Sequence, residues 1–275
     1  MRYYPGTTVT QFTTRLHQTF NLTGEWEVAL TEIMFPRSWY NVDRNHGHFT
    51  VSCSDCAEIE PLLARPDRRN YTFTMHMRSG YYDSMEKIVD EMNELVKRFF
   101  TRPVDGWSTP DSSRRVHSSV WPKFRYNAVN RKFYATLHPN MRITFAGKLM
   151  DTLGLGRNQS PMVNPSDGEM VIRGNRACDL EGGMHAIYVY CDLIECVPVG
   201  DTSAPLLGIV DSDGKQGETI KKAFFKPRYI PLQKKTFDSV EIFIRNAYGK
   251  RVAFENGKST VTLHFRRAKD SYFLG

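Results

Sequence analysis

SVEIFIRNAYGKRVAFENGKSTVTLHFRR, residues 239–267, decides the fold class. Val240, Ile242 and Ile244 alternate with Glu241, Phe243 and Arg245, a period of two that gives a strand one apolar and one mixed face. Asn246-Ala247-Tyr248-Gly249 supplies turn chemistry, because Asn tolerates a left-handed backbone and Gly has no Cβ to clash. Val252 and Phe254 continue the alternation, and Asn256-Gly257 is a strong hairpin signal. Val261, Leu263 and Phe265 then share a face opposite Thr260, Thr262 and His264. The pattern reads as strand, turn, strand, turn, strand, and its apolar face needs a second layer to cover it.

Working outward, most of the chain repeats this grammar. EWEVALTEIMF (25–35) sets Trp26, Val28 and Leu30 on one face and Ala29 and Ile33 on the other, as if both faces were partly covered. GHFTVSC, NYTFTMHM, APLLGIV and FKPRYIPL read as further short strands, and KFRYNAVNRKFYATL as a hairpin around Ala128-Val129-Asn130. GMHAIYVYCDLIE alternates Ile187, Val189 and Cys191 against Tyr188, Tyr190 and Asp192. Pro205, Pro227 and Pro231 mark strand ends or edges, since proline cannot donate to a ladder. One helix interrupts the series, over about 83–100. Met85, Ile88, Val89, Met92, Leu95, Val96 and Phe99 recur at helical steps, Asp83 stands at the N-cap position and Glu86 three residues on. That apolar stripe is the kind a helix packs on its own sheet. A shorter helix fits AGKLMDTLG, with Gly154 as its stop. Short strands, frequent turns and an inserted helix predict an all-β chain, a single jelly-roll β-sandwich across residues 1–275. It has an extended N-terminal segment (1–12) and two long loops, 101–119 and 156–168, with no linker between domains.

The chain's 275 residues are enough for one large β domain or two modest ones. Its 40% apolar and 24% charged content places it among ordinary globular proteins. No apolar run approaches the roughly 18 residues of a membrane span, and MRYYPGTTVTQF carries no apolar core of a secretory signal. Five cysteines are an odd count without framework spacing and read as mostly free thiols of a reducing compartment. A net charge of +7 is spread in pairs, Arg68-Arg69, Arg114-Arg115, Lys221-Lys222, Lys234-Lys235 and Arg266-Arg267. That pattern suits loose contact with a polyanion and lacks any element that reads sequence.

Catalytic signals are missing: no nucleophile elbow, no phosphate loop and no zincin motif occurs. His46, His48, Cys53 and Cys56 form the one set with metal-ligand chemistry. A polar hairpin explains them better than zinc does, because their spacing matches no common zinc motif. Asp192 with Glu195, and Asp211 with Asp213, are acidic pairs, but DSDG lacks the later acidic ligand of a calcium loop and reads as a turn. Cys191 and Cys196 read as buried thiols. No catalytic, cofactor-binding or metal-binding residue is therefore assigned, and no cofactor is expected.

Several stretches carry a family resemblance. They are FTTRLHQTFNLTGEWEVALTEIMFPRSWYNV (12–42), SGYYDSMEKIVDEMNELV (79–96), ITFAGKLMDTLGL (143–155), YVYCDLIECVPVGDTSAPLLGIV (188–210) and the stretch that ends in VTLHFRR. Together they resemble the minor capsid (penton) protein of Polinton/Maverick elements and adintoviruses. Residues 53–69 and 101–119 fall outside the resemblance, and Gly208 stands where the family pattern has a basic residue. The resemblance implies a structural virion protein without enzymatic activity, a homopentamer at the five-fold vertices of an icosahedral capsid. It implies contact with a double jelly-roll major capsid protein, non-specific contact with packaged DNA, and assembly in the host nucleus. The alternative is a jelly-roll binding module for carbohydrate or a host receptor, with Trp107 and Trp121 as its aromatic platform. A metal-dependent hydrolase at His46 and His48 is a third reading.

Overall fold

The structure, a computed structural model, describes residues 10–54, 70–101, 118, 120–156, 162–163 and 170–268. The expected features at 1–9, most of 101–119 and most of 156–168, and Cys56 and Trp107 with them, lie outside the described residues. In chain order the strands begin with β1 (Gln11–Asn21), β2 (Trp26–Pro36), β3 (His48–Ser54) and β4 (Asn70–His76), and α1 (Met85–Thr101) follows. Next come β5 (Lys123–Asn127), β6 (Lys132–Leu137), β7 (Met141–Phe145), α2 (Gly147–Thr152), β8 (Met162–Val163) and β9 (Met170–Arg173). The chain continues through β10 (Ala186–Cys191), β11 (Val197–Val199), β12 (Thr202–Ala204) and β13 (Leu206–Asp211). It closes with β14 (Thr219–Ala223), β15 (Ile230–Pro231), β16 (Thr236–Arg245) and β17 (Thr260–Arg267).

The fold is all-β, with two helices among the described residues, as the strand pattern predicts. The sequence treats residues 1–275 as one body, whereas the chain divides into two compact units. One comprises Met1–Trp39 with Gly183–Gly275, the other Tyr40–Gly182. The second unit is entered directly from the end of β2 and left just before β10, so no Pro- or Ser-rich linker marks either joint in the sequence.

The first unit is the jelly roll. One sheet runs β1-β16-β10-β13, interleaving strands from both ends of the chain. The facing sheet is built on β2, with β17 along one side and β14 and then β15 along the other. Val28, Leu30, Ile33 and Phe35 of β2 share a core with Ile187, Val189 and Cys191 of β10 and with Val240, Ile242 and Ile244 of β16. Burying each large aliphatic side chain contributes roughly 1.5–3 kcal/mol.

Two local readings of this unit are corrected. First, both faces of β2 are partly covered, Ala29 being fully buried opposite Val28 and Leu30, but Ile33 does not share the face of Ala29. Thr262 pairs with Glu32 but Leu263 pairs with Leu30, so Thr31 is an extra residue, a β-bulge. The bulge inverts the parity of everything after it and returns Ile33 and Phe35 to the face of Val28 and Leu30. Second, residues 239–267 are not a three-strand meander. β16 and β17 belong to opposite sheets, and the segment between them crosses from one to the other. Val252 is buried there without belonging to a strand, and Asn246 makes the expected turn by accepting from the Tyr248 and Lys250 backbone amides. Asn256-Gly257 makes no hairpin. The backbone at Gly257 is left-handed (φ 83°), and a Cβ there would lie 2.7 Å from Pro36 Cβ. Glycine is needed because the chain passes close over the end of β2. FKPRYIPL is also corrected: only Ile230–Pro231 is strand and 224–229 is loop, Pro227 lacking the amide a ladder needs.

The second unit holds sheets β4-β3-β7 and β5-β6-β9-β8. The apolar stripe of α1 packs on its own unit's core, where Ile88, Met92, Val96 and Phe100 join Phe49, Phe133 and Leu153. Asn93 ties α1 to β5, donating to the Phe124 carbonyl and accepting from its amide, both at 2.9 Å. The helix begins one residue later than predicted. Ser84 caps it, its Oγ accepting from the Lys87 amide at 3.3 Å, while Asp83 pairs with Lys87 Nζ at 2.7 Å. α2 stops at Gly154 (φ 68°) as expected. No helix is long and apolar enough to cross a membrane, among the described residues.

Candidate assembly surface

The residues with metal-ligand chemistry do not converge. His46 sits in a turn and shares its Nδ1 with Asp43 Oδ1 at 2.9 Å. His48 opens β3 and lies beside His76 of β4, ring centroids 5.3 Å apart. Cys53 is five positions farther along the same strand, hence on the opposite face and roughly 16 Å away at ~3.3 Å per residue. Cys53 is moreover disulfide-bonded, which removes its thiolate from metal binding and corrects the reading of it as a free thiol. Among the described residues no group of three or more His, Cys, Asp or Glu side chains is placed to hold a metal.

Among the described residues the free thiols are Cys178, Cys191 and Cys196. Burial pushes Cys178 and Cys191 up to about 11, so both stay protonated at neutral pH and are poor nucleophiles. Cys196, expected to be buried, is exposed. The charged clusters are structural. Glu91, its side chain 5% exposed, is held by Arg78 at 2.7 Å and Arg98 at 3.5 Å. The hydrogen bond from Arg78 outweighs burial and keeps the Glu91 carboxyl below its usual range. Burial opposes ionisation of Asp43, but hydrogen bonds and charge from His46 and Lys148 prevail and lower it. Asp192 accepts from Lys234 Nζ and from the Glu241 amide, fixing a loop to β16. Trp121 does not offer a sugar platform: it stacks on Phe100 at 5.9 Å and packs against the second unit's core.

The basic pairs are largely matched by carboxylates. Lys221 meets Glu32, Lys234 meets Asp192, Lys235 meets Glu25 and Arg266 meets Glu27. Arg266 also lies over the Tyr229 ring, 3.3 Å from its centroid. Arg68-Arg69 and Arg114-Arg115 lie outside the described residues.

What the first unit does present is two lateral edges. β1 and β13 are the outer strands of the same sheet, each paired on one side among the described residues. β1 is long and largely exposed, with Phe20 at its far end 40% exposed. β13 reads Leu-Leu-Gly-Ile-Val-Asp and carries none of the lysines or prolines that usually blunt a free edge. Ile209 on it is 50% exposed. Beside β13, a cleft of about 300 Å³ is lined by Leu30, Leu206, Leu207, Gly208, Ile209 and Phe224. Lys226 and Arg228 complete its wall. The cleft opens where β2 lacks a neighbour strand, between β14, which ends opposite Glu32, and β15, which starts opposite Val28. The Thr31 carbonyl at the bulge accepts from the Phe224 amide and turns the chain outward there. Phe225 is fully exposed. Sequence pattern alone missed this surface, because FKPRYIPL reads as a short strand with edge prolines, whereas 224–229 is loop and Phe225 stands in solvent.

No protein-family model matches the chain, and no curated protein matches it. Among solved structures, it is similar to the selenomethionine-labelled mavirus penton protein, with a TM-score of 0.46 and 11% sequence identity. The similarity covers 95% of this chain and 92% of that one.

Proposed function

We propose that the chain is a minor capsid subunit whose activity is assembly. It forms a homopentamer at the five-fold vertices of an icosahedral capsid, set among double jelly-roll major capsid proteins. The virion is its location, with assembly in the host nucleus and non-specific electrostatic contact with packaged DNA. The observation that carries this reading is the pair of free edges at opposite sides of one jelly-roll sheet, both bearing exposed apolar side chains. A ring needs two different patches on each copy, and these are two different patches. The residue-level resemblance to Polinton/Maverick penton proteins, from VTLHFRR back to GEWEVALTEIMFP, supports the same reading. Its chemistry is in keeping: the buried thiols are protonated, and the lowered carboxylates are held in hydrogen bonds within the fold.

Light scattering on the purified protein tests it. Five copies of a 31.7 kDa chain give a particle of about 160 kDa. Stable contacts of this kind bury roughly 1,200–2,000 Å² each, so the ring should persist at micromolar concentration. A monomer at every concentration tried would end this reading.

A further inference from the structure

We propose that the outer face of the β5-β6-β9 sheet binds nucleic acid through its phosphates, without reading sequence. The contact rests on the capsid reading above for its polyanion, packaged DNA, and gives that polyanion a surface on the second unit.

The face follows from strand alternation. Phe124, Phe133, Ala135 and Ile172 belong to the second unit's core. Lys123 and Arg125 of β5, Lys132 and Tyr134 of β6 and Arg173 of β9 alternate with them and share the opposite face. Lys123, Arg125 and Arg173 are exposed. The register sets Tyr134 opposite Arg125 on one side and Arg173 on the other. Both guanidiniums lie against its ring, 4.9 and 5.8 Å from the centroid. Asn130 Nδ2 donates to the Tyr134 hydroxyl at 2.8 Å and steadies the ring. Two guanidiniums are thus placed in advance, which lowers the ordering cost of binding. β5 and β9 lie two strand spacings apart, roughly 9–10 Å, so the cations form a row and not a pocket for one ion. A guanidinium fork matches phosphate oxygens, and a row of cations matches a chain of phosphates. With arginines against it, Tyr134 offers no bare ring for base stacking, so the contact is with the backbone.

The face carries one sign of charge. β5, β6, β8 and β9 contain no Asp or Glu. The second unit's ion pairs engage other cations, Arg78, Arg98 and Lys148 among them, and Lys123, Arg125 and Arg173 meet no carboxylate among the described residues. Lys132 Nζ donates to the Asn175 carbonyl at 3.2 Å, which leaves its charge unneutralised. In the first unit, by contrast, Glu32 and Glu27 of β2 neutralise Lys221 and Arg266 of the adjacent strands. Like charges gathered on one sheet face repel, and a bound polyanion offsets that repulsion.

The test is fluorescence anisotropy on the full-length protein, with a labelled mixed-sequence DNA duplex of about 20 base pairs over about 50–200 mM salt. Phosphate contacts by the four cations predict a slope of log affinity against log salt of about −3.6. The double variant Arg125→Gln/Arg173→Gln is expected to bring the slope to about −1.8 and to weaken binding about 10-fold or more at the lowest salt. Lys123→Gln, which leaves the Tyr134 cluster intact, should make the slope shallower by about 0.9. The control, Lys226→Gln/Arg228→Gln, removes the same charge from two exposed cations of the first unit and should bind as wild type does. Thermal unfolding checks that every variant is folded. Equal losses in the two double variants would mean that net charge alone attracts DNA and would overturn the proposal, as would unchanged binding by Arg125→Gln/Arg173→Gln. Heparin bound through these arginines by a protein that leaves the duplex free would give the face to a sulfated polysaccharide and equally overturn it. Light scattering reads the ring separately: a pentamer that ignores DNA loses this contact alone, whereas a monomer that binds the duplex through Arg125 and Arg173 keeps the contact and loses the ring.

Discussion

At the scale of single residues, Glu91 shows how the second unit holds its helix. Its carboxylate is almost fully enclosed, yet both of its arginine partners are more than half in solvent. Arg78 grips it in a fork, Nε to Oε1 at 3.0 Å and Nη2 to Oε2 at 2.7 Å, joining α1 to the segment after β4. Because Arg78 is so exposed, only part of a charge-assisted bond's strength is realised, and Glu91→Gln should cost about 1–2 kcal/mol at pH 7. The sign of the pH effect follows from the lowered carboxyl. In the unfolded chain a glutamate titrates near 4.3, and in the folded protein lower. Between those values the unfolded state binds more protons, so stability rises with pH there. The contribution is complete above about pH 4.3 and is lost as pH falls through the folded value. Denaturant titrations of both proteins from pH 7 to pH 3 should therefore show the gap between them closing on acidification. A gap that stays constant would mean that Arg78 does not favour the ionised form.

At the scale of elements, β2 explains both what the sequence reveals and what it hides. The strand itself is plain in EWEVALTEIMF, and so are β10, β16, β17, the β5–β6 hairpin and α1, because each buries one regular face or stripe. The bulge at Thr31 is not legible, since a one-residue register shift is made by the partner strand and by Thr31 Oγ1 donating to the Thr262 carbonyl at 3.1 Å. The same limit hides the sheet change between β16 and β17, where Asn256-Gly257 has the composition of a hairpin but serves a close passage over Pro36. β14 and β1 escape notice because lysines and threonines interrupt their alternation, as is usual near sheet edges. If Thr31 is the extra residue of β2, deleting it removes the bulge and leaves Val28, Leu30, Ile33 and Phe35 on one face by simple alternation, so the first unit should still fold and the β2 amides should keep their protection in hydrogen exchange. Thr31→Val keeps the count and loses one hydrogen bond, a cost of about 1 kcal/mol. Lost protection of the Ile33 and Phe35 amides in the deletion variant would show that Thr31 is not the extra residue that sets the register.

At the scale of the whole chain, two separate cores replace the single sandwich suggested by continuous β patterning. Ile187, Val189 and Ile244 belong to one core, Phe49, Phe133 and Leu153 to the other, and each core is assigned wholly to one compact unit. Local pattern cannot reveal this division, because strands on either side of Trp39–Tyr40 and Gly182–Gly183 obey the same period and only their pairing distinguishes them. The free edge of β13 was not legible for a similar reason: APLLGIV reads as an ordinary strand, and only the pairing places β13 outermost in its sheet, with Ile209 half exposed. Two cores should mean two cooperative transitions. Ile187→Ala and Leu153→Ala each remove a completely buried side chain and should cost about 2–5 kcal/mol within the unit concerned. In differential scanning calorimetry, each substitution is expected to lower one transition by several degrees and leave the other in place, with the two substitutions acting on different transitions. A single transition that moves as a whole under either substitution would show that both units melt together and would return the chain to one cooperative body.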